Sequence, residues 1–209
     1  MKSIDKRKRL AIIVFSLIFI LLSICMIMGW VDGIDRAVRL LVAAHRAPIL
    51  NRLALLLNDA FLYPIKGLIL LPLALFIGLV RHRWLAAVIV AVAPLVTSIV
   101  TWVFKYIFCR PRPLPDLPCD SFPSGHTTAG TVIFGLMAYA ALRYIPVAWI
   151  RIVIVSVLAV LIFATGWSRV YLSYHHPSDV LAGLALGAII LTALTSALDI
   201  FDGDQEKEE

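Results

Sequence analysis

The chain is built from mainly apolar runs about as long as a bilayer is thick, and that feature excludes most folds. A spanning helix needs ~20 mainly apolar residues, because ~1.5 Å of rise per residue must cover a hydrocarbon core of about 30 Å. Six segments meet that length: Leu10–Trp30, Phe61–Val80, Trp84–Phe104, His126–Tyr144, Val147–Trp167 and Val180–Ile200. Of the 209 residues, 61% are hydrophobic, against ~45–50% in a soluble domain. That excess is too large for one soluble core. The sequence therefore predicts an all-α, polytopic membrane protein whose six transmembrane helices form a bundle. No internal repeat or low-complexity tract divides it, so residues 1–209 read as a single membrane-embedded domain.

The N-terminus, "MKSIDKRKRL", precedes a run of full spanning length with no small-x-small cleavage site. It reads as a retained first helix rather than a cleaved signal. Lys66 falls inside the second segment, close enough to one end to snorkel. Pro72 and Pro94 fall inside predicted helices, which bundles tolerate when neighbours satisfy the freed carbonyls. Between the first two spans, "VDGIDRAVRLLVAAHRAPILNRLALLLNDAF" is too polar to cross. Ile34, Val38, Leu41 and Val42 recur at helical spacing, with Asp35, Arg36 and Arg39 turned elsewhere. This fits an amphipathic interfacial helix or a packed connector. The acidic tail "DGDQEKEE" reads as a solvated end.

A formal charge of +6 could mark a nucleic-acid binder. The basic residues, however, sit in short gaps between apolar runs, where membrane proteins carry them. Lys2, Lys6, Arg7, Lys8 and Arg9 place the start in the cytoplasm. Six crossings then put Arg81–Arg83, the Arg143–Arg151 turn and the C-terminus inside as well. The expected setting is a bacterial inner (cytoplasmic) membrane. Three stretches fall on the outer, periplasmic face: the amphipathic connector, Lys105–Gly125 and Ser168–Asp179. Lys105, Arg110, Arg112 and Arg169 break the positive-inside trend there, and an anion is the physical cause to look for.

The outer stretches carry "KYIFCRPRP", then "PSGH", then "SRVYLSYHHPSD". Lys105, Arg112 and Arg169 supply three positive charges, the arginines as planar forks that match a phosphate edge. Ser124 and Gly125 stand where a helix begins, with free N–H groups and the positive end of its dipole. Asp179 follows His175 at i+4, a spacing at which a carboxylate can hold one ring nitrogen as N–H and leave the other free. His126 is placed to move protons.

These motifs resemble the type-2 phosphatidic acid phosphatases, or lipid phosphate phosphatases, whose superfamily includes glucose-6-phosphatases and vanadium haloperoxidases. The pattern K-x6-RP, PSGH, SR-x5-H-x3-D is filled by Lys105, Arg112 and Pro113, by Pro123 to His126, and by Ser168, Arg169, His175 and Asp179. The resemblance implies His175 as nucleophile through a phosphohistidine. Asp179 would orient it, and His126 would protonate the leaving alkoxide and then activate water. Lys105, Arg112, Ser124, Gly125 and Arg169 would hold the phosphate. It implies no metal or other cofactor; Asp116 and Asp120 are loop carboxylates without histidine support. The implied substrate is a lipid phosphate or lipid pyrophosphate: undecaprenyl pyrophosphate, phosphatidylglycerol phosphate or phosphatidic acid. Alternatives are a lipid phosphotransferase using the same phosphohistidine, a vanadate-dependent haloperoxidase, and a silent lipid-phosphate binder or transporter.

Simpler readings stand beside these. Ser124 and Asp179 could cap helices as well as bind. Lys105 and Arg112 could be interface anchors. His176 reads as a pocket-edge residue at most, and Arg110 as an interface charge or a second head-group contact. Cys25 reads as packing, while Cys109 and Cys119 are either a loop-closing disulfide or two free thiols. Gly183 and Gly187 form a small-xxx-small pair that hints at close helix packing. Oligomeric state is not legible.

Overall fold

The computed structural model describes residues 5–59 and 68–205, with side chains as far as residue 201. The described residues are helical and contain no strand. Helix α1 spans Lys6–Ile27, α2 Asp32–Ala44 and α3 Pro48–Asp59. A short α4, Leu71–Leu75, runs on as a π-helical turn, Phe76–Val80. Then follow α5 Trp84–Phe108, α6 Gly125–Tyr144, α7 Ala148–Tyr171 and α8 Pro177–Gln205.

Among the described residues, four helices are long and apolar enough to cross a membrane: α1, α5, α7 and Pro177–Phe201 of α8. The second expected span is only partly visible. Residues 60–67, Lys66 included, lie outside the described residues, and the rest is α4 with its π turn. Pro72 sits in the first turn of α4 rather than inside a helix, where a missing N–H costs nothing. Pro94 does lie inside α5, buried. The acidic tail's last four residues are likewise outside the described region.

Helix α6 explains why the fourth expected span is less apolar than the others. It packs against α5, α7 and α8 and so meets protein rather than lipid. Its buried residues include Thr127, Thr128, Val132, Ile133 and Leu136. Their hydroxyls are satisfied within the helix: Thr128 Oγ1 donates to Ser124 O at 2.9 Å and Thr131 Oγ1 to Thr127 O at 2.8 Å. Helices α1 and α7, by contrast, expose most of their apolar surface, as lipid-facing helices must.

The glycine pair works inside the chain. A Cβ on Gly187 would lie 2.6 Å from Thr131 Cβ and 3.0 Å from Thr128 O; one on Gly183 would lie 2.8 Å from Ser124 O. These neighbours are backbone and β-branched atoms of α6 and cannot yield cheaply. Helix α8 therefore reaches α6 closely enough to bring the third motif against the second. Gly187→Ala is expected to destabilise by about 1–3 kcal/mol through overpacking. It should lower Tm in detergent by several degrees; an unchanged Tm would contradict this contact.

Helix ends matter most for function. Helix α5 runs past the expected Phe104 to Phe108, so Lys105 sits on its last turn. Helix α7 runs to Tyr171 and carries Ser168 and Arg169. Helix α8 begins at Pro177, which puts Asp179 in its first turn. The motifs thus gather at one end of the bundle. At the other end Lys8 Nζ pairs with Asp199 Oδ2 at 2.6 Å, and Tyr139 Oη donates to Asp199 Oδ1 at 2.5 Å.

Candidate active site

The segment between α5 and α6 is pinned by one ring. Phe122 is fully buried and meets Phe108 edge-on at 5.0 Å and Phe19 at 5.9 Å between centroids. This anchor sets Ser121 on one side and Pro123–Ser124 on the other. Ser124 N–H donates to Asp179 O at 3.0 Å, a direct link between the PSGH turn and the start of α8. Ser124 occupies the N-cap position of α6, but its side chain makes no capping bond. Its Oγ instead accepts from Thr127 Oγ1 at 2.9 Å. The expectation of a side-chain cap is corrected: the hydroxyl is buried among the threonines of α6. Gly125 and His126 follow on the first turn, both half-buried.

His175 is 2% exposed and Asp179 is fully buried. His175 Nδ1 lies 3.6 Å from Asp179 Oδ2 and 3.4 Å from Ser121 Oγ. The carboxylate is held from several sides. Ser121 Oγ–H and His176 N–H (2.8 Å) donate to Oδ2, and Arg110 donates to Oδ1 at 2.6 Å. Asp179 is thus the third residue of α8 and reaches back to the N–H before the helix, rather than standing at the cap itself. Burial pushes the His175 imidazole down to about 4, with Lys105 and Arg112 adding to the effect and Asp179 opposing it. The ring is therefore neutral at physiological pH, with Nδ1 turned to the carboxylate. An imidazole so held keeps its Nε2 lone pair available to an electrophile.

Around the dyad stand the cations. Arg112 Nε donates to Asp120 Oδ1 at 2.7 Å, and Lys105 Nζ donates to Asp120 O and pairs with Oδ2 at 3.7 Å. Burial would raise the Asp120 carboxyl, but the Arg112 hydrogen bond and the Lys105 charge win and hold it below the usual carboxylate range. Arg169, 3% exposed, donates to Asn58 Oδ1 of α3 at 2.7 Å and stacks over Tyr174 at 4.8 Å. Its Nε has no partner among the described residues. Cys109 and Cys119 are free, and Cys119 Sγ–H points to Cys109 O.

A cleft of about 560 Å³ opens at this end. Lys105 and Gly125 form its polar mouth. Thr101, Trp102, Ser98 and Leu95 carry it down α5, with Ala129 of α6 opposite.

The sequence pattern of the PAP2 superfamily matches residues 84–200, a stretch that holds every motif residue from Lys105 to Asp179. The chain belongs to the PAP2 superfamily. Among its PAP2 relatives is a provisionally named undecaprenyl-diphosphatase of Escherichia coli (strain K12), YbjG. It is 38% identical over 121 residues, covering 54% of this chain and 56% of that one. Phosphatidylglycerophosphatase B of Bacillus subtilis (strain 168) is 28% identical over 188 residues, covering 83% of this chain and 88% of the relative. The match thus spans a little over half of the first relative and most of the second. A solved transmembrane PAP2-type phosphatidylglycerolphosphate phosphatase from Bacillus subtilis superposes with a TM-score of 0.76 at 23% identity, covering 90% of this chain and 96% of that one. At that identity the likeness carries the fold. The chain is a multi-pass membrane protein of this superfamily.

Around this candidate site the sequence reading missed four residues. Arg110 is not an interface charge; it is 7% exposed and bonded to Asp179. Asp35, set off the apolar stripe of its helix in the sequence, is 2% exposed and bonded to Arg110. Ser121 bridges toward His175, and Asn58 holds Arg169. The doubled "RPRP" was the one visible hint for Arg110. Nothing local marked Asp35 or Asn58, because both act across the bundle.

Proposed function

We propose that the protein is an integral-membrane phosphatase that removes the terminal phosphate of a lipid phosphate or lipid pyrophosphate through a phosphohistidine. The observation that carries the lipid half of this reading is the cleft: a phosphate at Lys105 and Gly125 would have an open apolar groove beside it along α5. Two relatives are named for undecaprenyl diphosphate and phosphatidylglycerophosphate. Both molecules pair a terminal phosphate with a membrane anchor, and phosphatidic acid shares that chemistry. The whole chain is read as one domain of six crossings, with both termini cytoplasmic and the motif end at the periplasmic face of the inner membrane.

Chemically, His175 Nε2 attacks phosphorus, forming a P–N bond as the P–O bond to the leaving group breaks. His126 gives its proton to the departing oxygen. Water then attacks the phosphohistidine while His126 takes back a proton, and the P–N bond breaks to release inorganic phosphate. Asp179 holds Nδ1–H and balances the charge that grows on the ring. Lys105, Arg112, Arg169, Ser124 and the Gly125 N–H stabilise the equatorial oxygens. Asp120 pairs with two of these cations, Lys105 and Arg112, and so competes with a phosphate for them.

The test is phosphate release in detergent with EDTA present, from undecaprenyl pyrophosphate, phosphatidylglycerol phosphate and phosphatidic acid in parallel. A companion variant, Ser98→Trp, fills the cleft away from the motifs. Each methylene it displaces forfeits ~0.8 kcal/mol, so kcat/KM for the lipids should fall at least ~10-fold. Hydrolysis of soluble para-nitrophenyl phosphate should be spared. Equal loss on both would sink the cleft as the lipid site. Transfer of label to a lipid acceptor without free phosphate would favour the phosphotransferase.

A further inference from the structure

We propose that Arg110 and Asp35 are positioning residues for this reaction: together they form a buried ionic relay behind Asp179 that fixes the carboxylate facing His175. The inference rests on the phosphohistidine reading above.

Arg110 stands between two carboxylates that come from distant parts of the chain. Its NH1 donates to Asp179 Oδ1 at 2.6 Å and to Ser178 Oγ at 2.7 Å; its NH2 donates to Asp35 Oδ2 at 2.8 Å. Asp32 of α2 lies 3.4 Å from NH2 at the exposed edge. Asp35 is itself fully engaged. Its Oδ1 accepts Ser178 N–H at 2.9 Å, and its Oδ2 accepts Ser178 Oγ–H at 2.5 Å as well as Arg110. One residue of α2 thus ties down both the first turn of α8 and the guanidinium that holds Asp179. Burial works against the Arg110 charge, but Asp179 and Asp35 overrule it and raise its affinity for the proton.

A cluster of this kind is a weak source of stability, since removing three charged groups from water costs nearly what their pairing returns. Its geometric effect is definite. Asp179 Oδ1 is committed to Arg110, so Oδ2 is left for Ser121, His176 N–H and His175. Without Arg110 the carboxylate is restrained only through Oδ2, by Ser121 and the His176 N–H, and the imidazole's partner is held less firmly. The electrostatic effect is equally definite. The charged and titratable groups around the dyad include Lys105 from α5, Arg110, Arg112 and Asp120 from the segment after it, Asp32 and Asp35 from α2, Arg169 from α7, and His176. Arg110 is the one bonded to Asp179 on the side away from the ring. With its charge gone, the full carboxylate charge acts on His175 and favours the imidazolium, which cannot attack.

The experiment measures kcat and KM against pH for phosphatidylglycerol phosphate in detergent, with Arg110→Met, Arg110→Lys, Asp35→Asn and His175→Ala. Arg110→Met should lose about 100-fold in kcat, the usual cost of a misplaced reacting group. KM should stay within about threefold, and the acid limb of kcat should move up by about one pH unit. Arg110→Lys keeps the charge, so it should return the acid limb to its wild-type position and recover part of kcat. Asp35→Asn should lower kcat by about 10-fold without raising the acid limb, because Arg110 keeps its charge and its bond to Asp179 but loses the carboxylate that positions it. Monodispersity and Tm report folding; if Arg110→Met does not fold, Arg110→Lys and Asp35→Asn decide by the same criteria. Folded variants with wild-type kcat, a loss confined to KM, or a kcat loss with no moved acid limb and no rescue by lysine would each overturn the relay. Those results with an inactive His175→Ala would leave the phosphohistidine reading standing. An active His175→Ala, or an inert wild type, would take down both.

Discussion

His175→Ala is expected to reduce phosphate release by a factor on the order of 10⁵–10⁶, the range seen when a covalent nucleophile is deleted. Substrate binding should survive, because Lys105, Arg112, Arg169 and the start of α6 are untouched. Single-turnover reactions with labelled lipid should trap an acid-labile, base-stable phosphoprotein in the wild type and none in the variant. The wild-type rate carries a second signature. Burial holds the His175 imidazole down to about 4, well under the usual ~6.5. The ring is therefore neutral above that pH. The rate should persist through mildly acidic conditions and fall only as pH drops through about 4. An acid limb near the ordinary histidine value would mean that His175 is far more hydrated than its 2% exposure implies. A labelled intermediate in His175→Ala would move the nucleophile elsewhere, with His176 the first residue to examine.

The second large effect is expected at Asp179. Asp179→Asn should cost about 10⁴ in kcat, as when an amide replaces the orienting carboxylate of a catalytic histidine. The amide can present N–H toward Nδ1, which places the ring proton on the attacking nitrogen instead. It also leaves Arg110 facing two carboxylates, Asp35 and Asp32, rather than three. Asp179 accepts from Arg110, Ser121 and His176 N–H and is fully buried, so Tm should fall with the rate. Breaking one partner of a buried ion pair costs about 3–5 kcal/mol. A variant with wild-type Tm and a modest rate loss would show that Ser121, rather than Asp179, sets the tautomer.

The two histidines at positions 175 and 176 show how sequence spacing and burial complement each other. The x5 and x3 spacings select His175. The structure adds a physical distinction: His175 is enclosed beside Asp179, while His176 Nε2 lies 3.2 Å from Pro111 O at the rim of the site. Burial lowers His176 too, with Arg110 assisting, but only its backbone N–H bonds to Asp179. The small-xxx-small pair was legible as a sign of close helix packing. That the partner is α6 of the same chain could be decided only once Thr131 and Ser124 were seen against it.

What the sequence determined by itself was the class of the molecule and the chemistry of its motifs. Apolar run length dictates membrane helices, because unsatisfied backbone groups cannot sit in hydrocarbon. Three motifs name the cations, the helix start and the histidine–carboxylate pair because together they resemble one family's pattern; of their spacings, the four residues from His175 to Asp179 are those of a helical turn. What only the tertiary structure decided was who stands behind them. Asp35 reaches Ser178 across more than half of the chain, Asn58 reaches Arg169, and Arg110 turns inward rather than outward. Helical periodicity assigns a residue to a face, but not to the neighbour that face will meet. A polar residue on an otherwise exposed helix becomes buried when a charge from another helix is placed against it, and that placement depends on how the whole bundle packs.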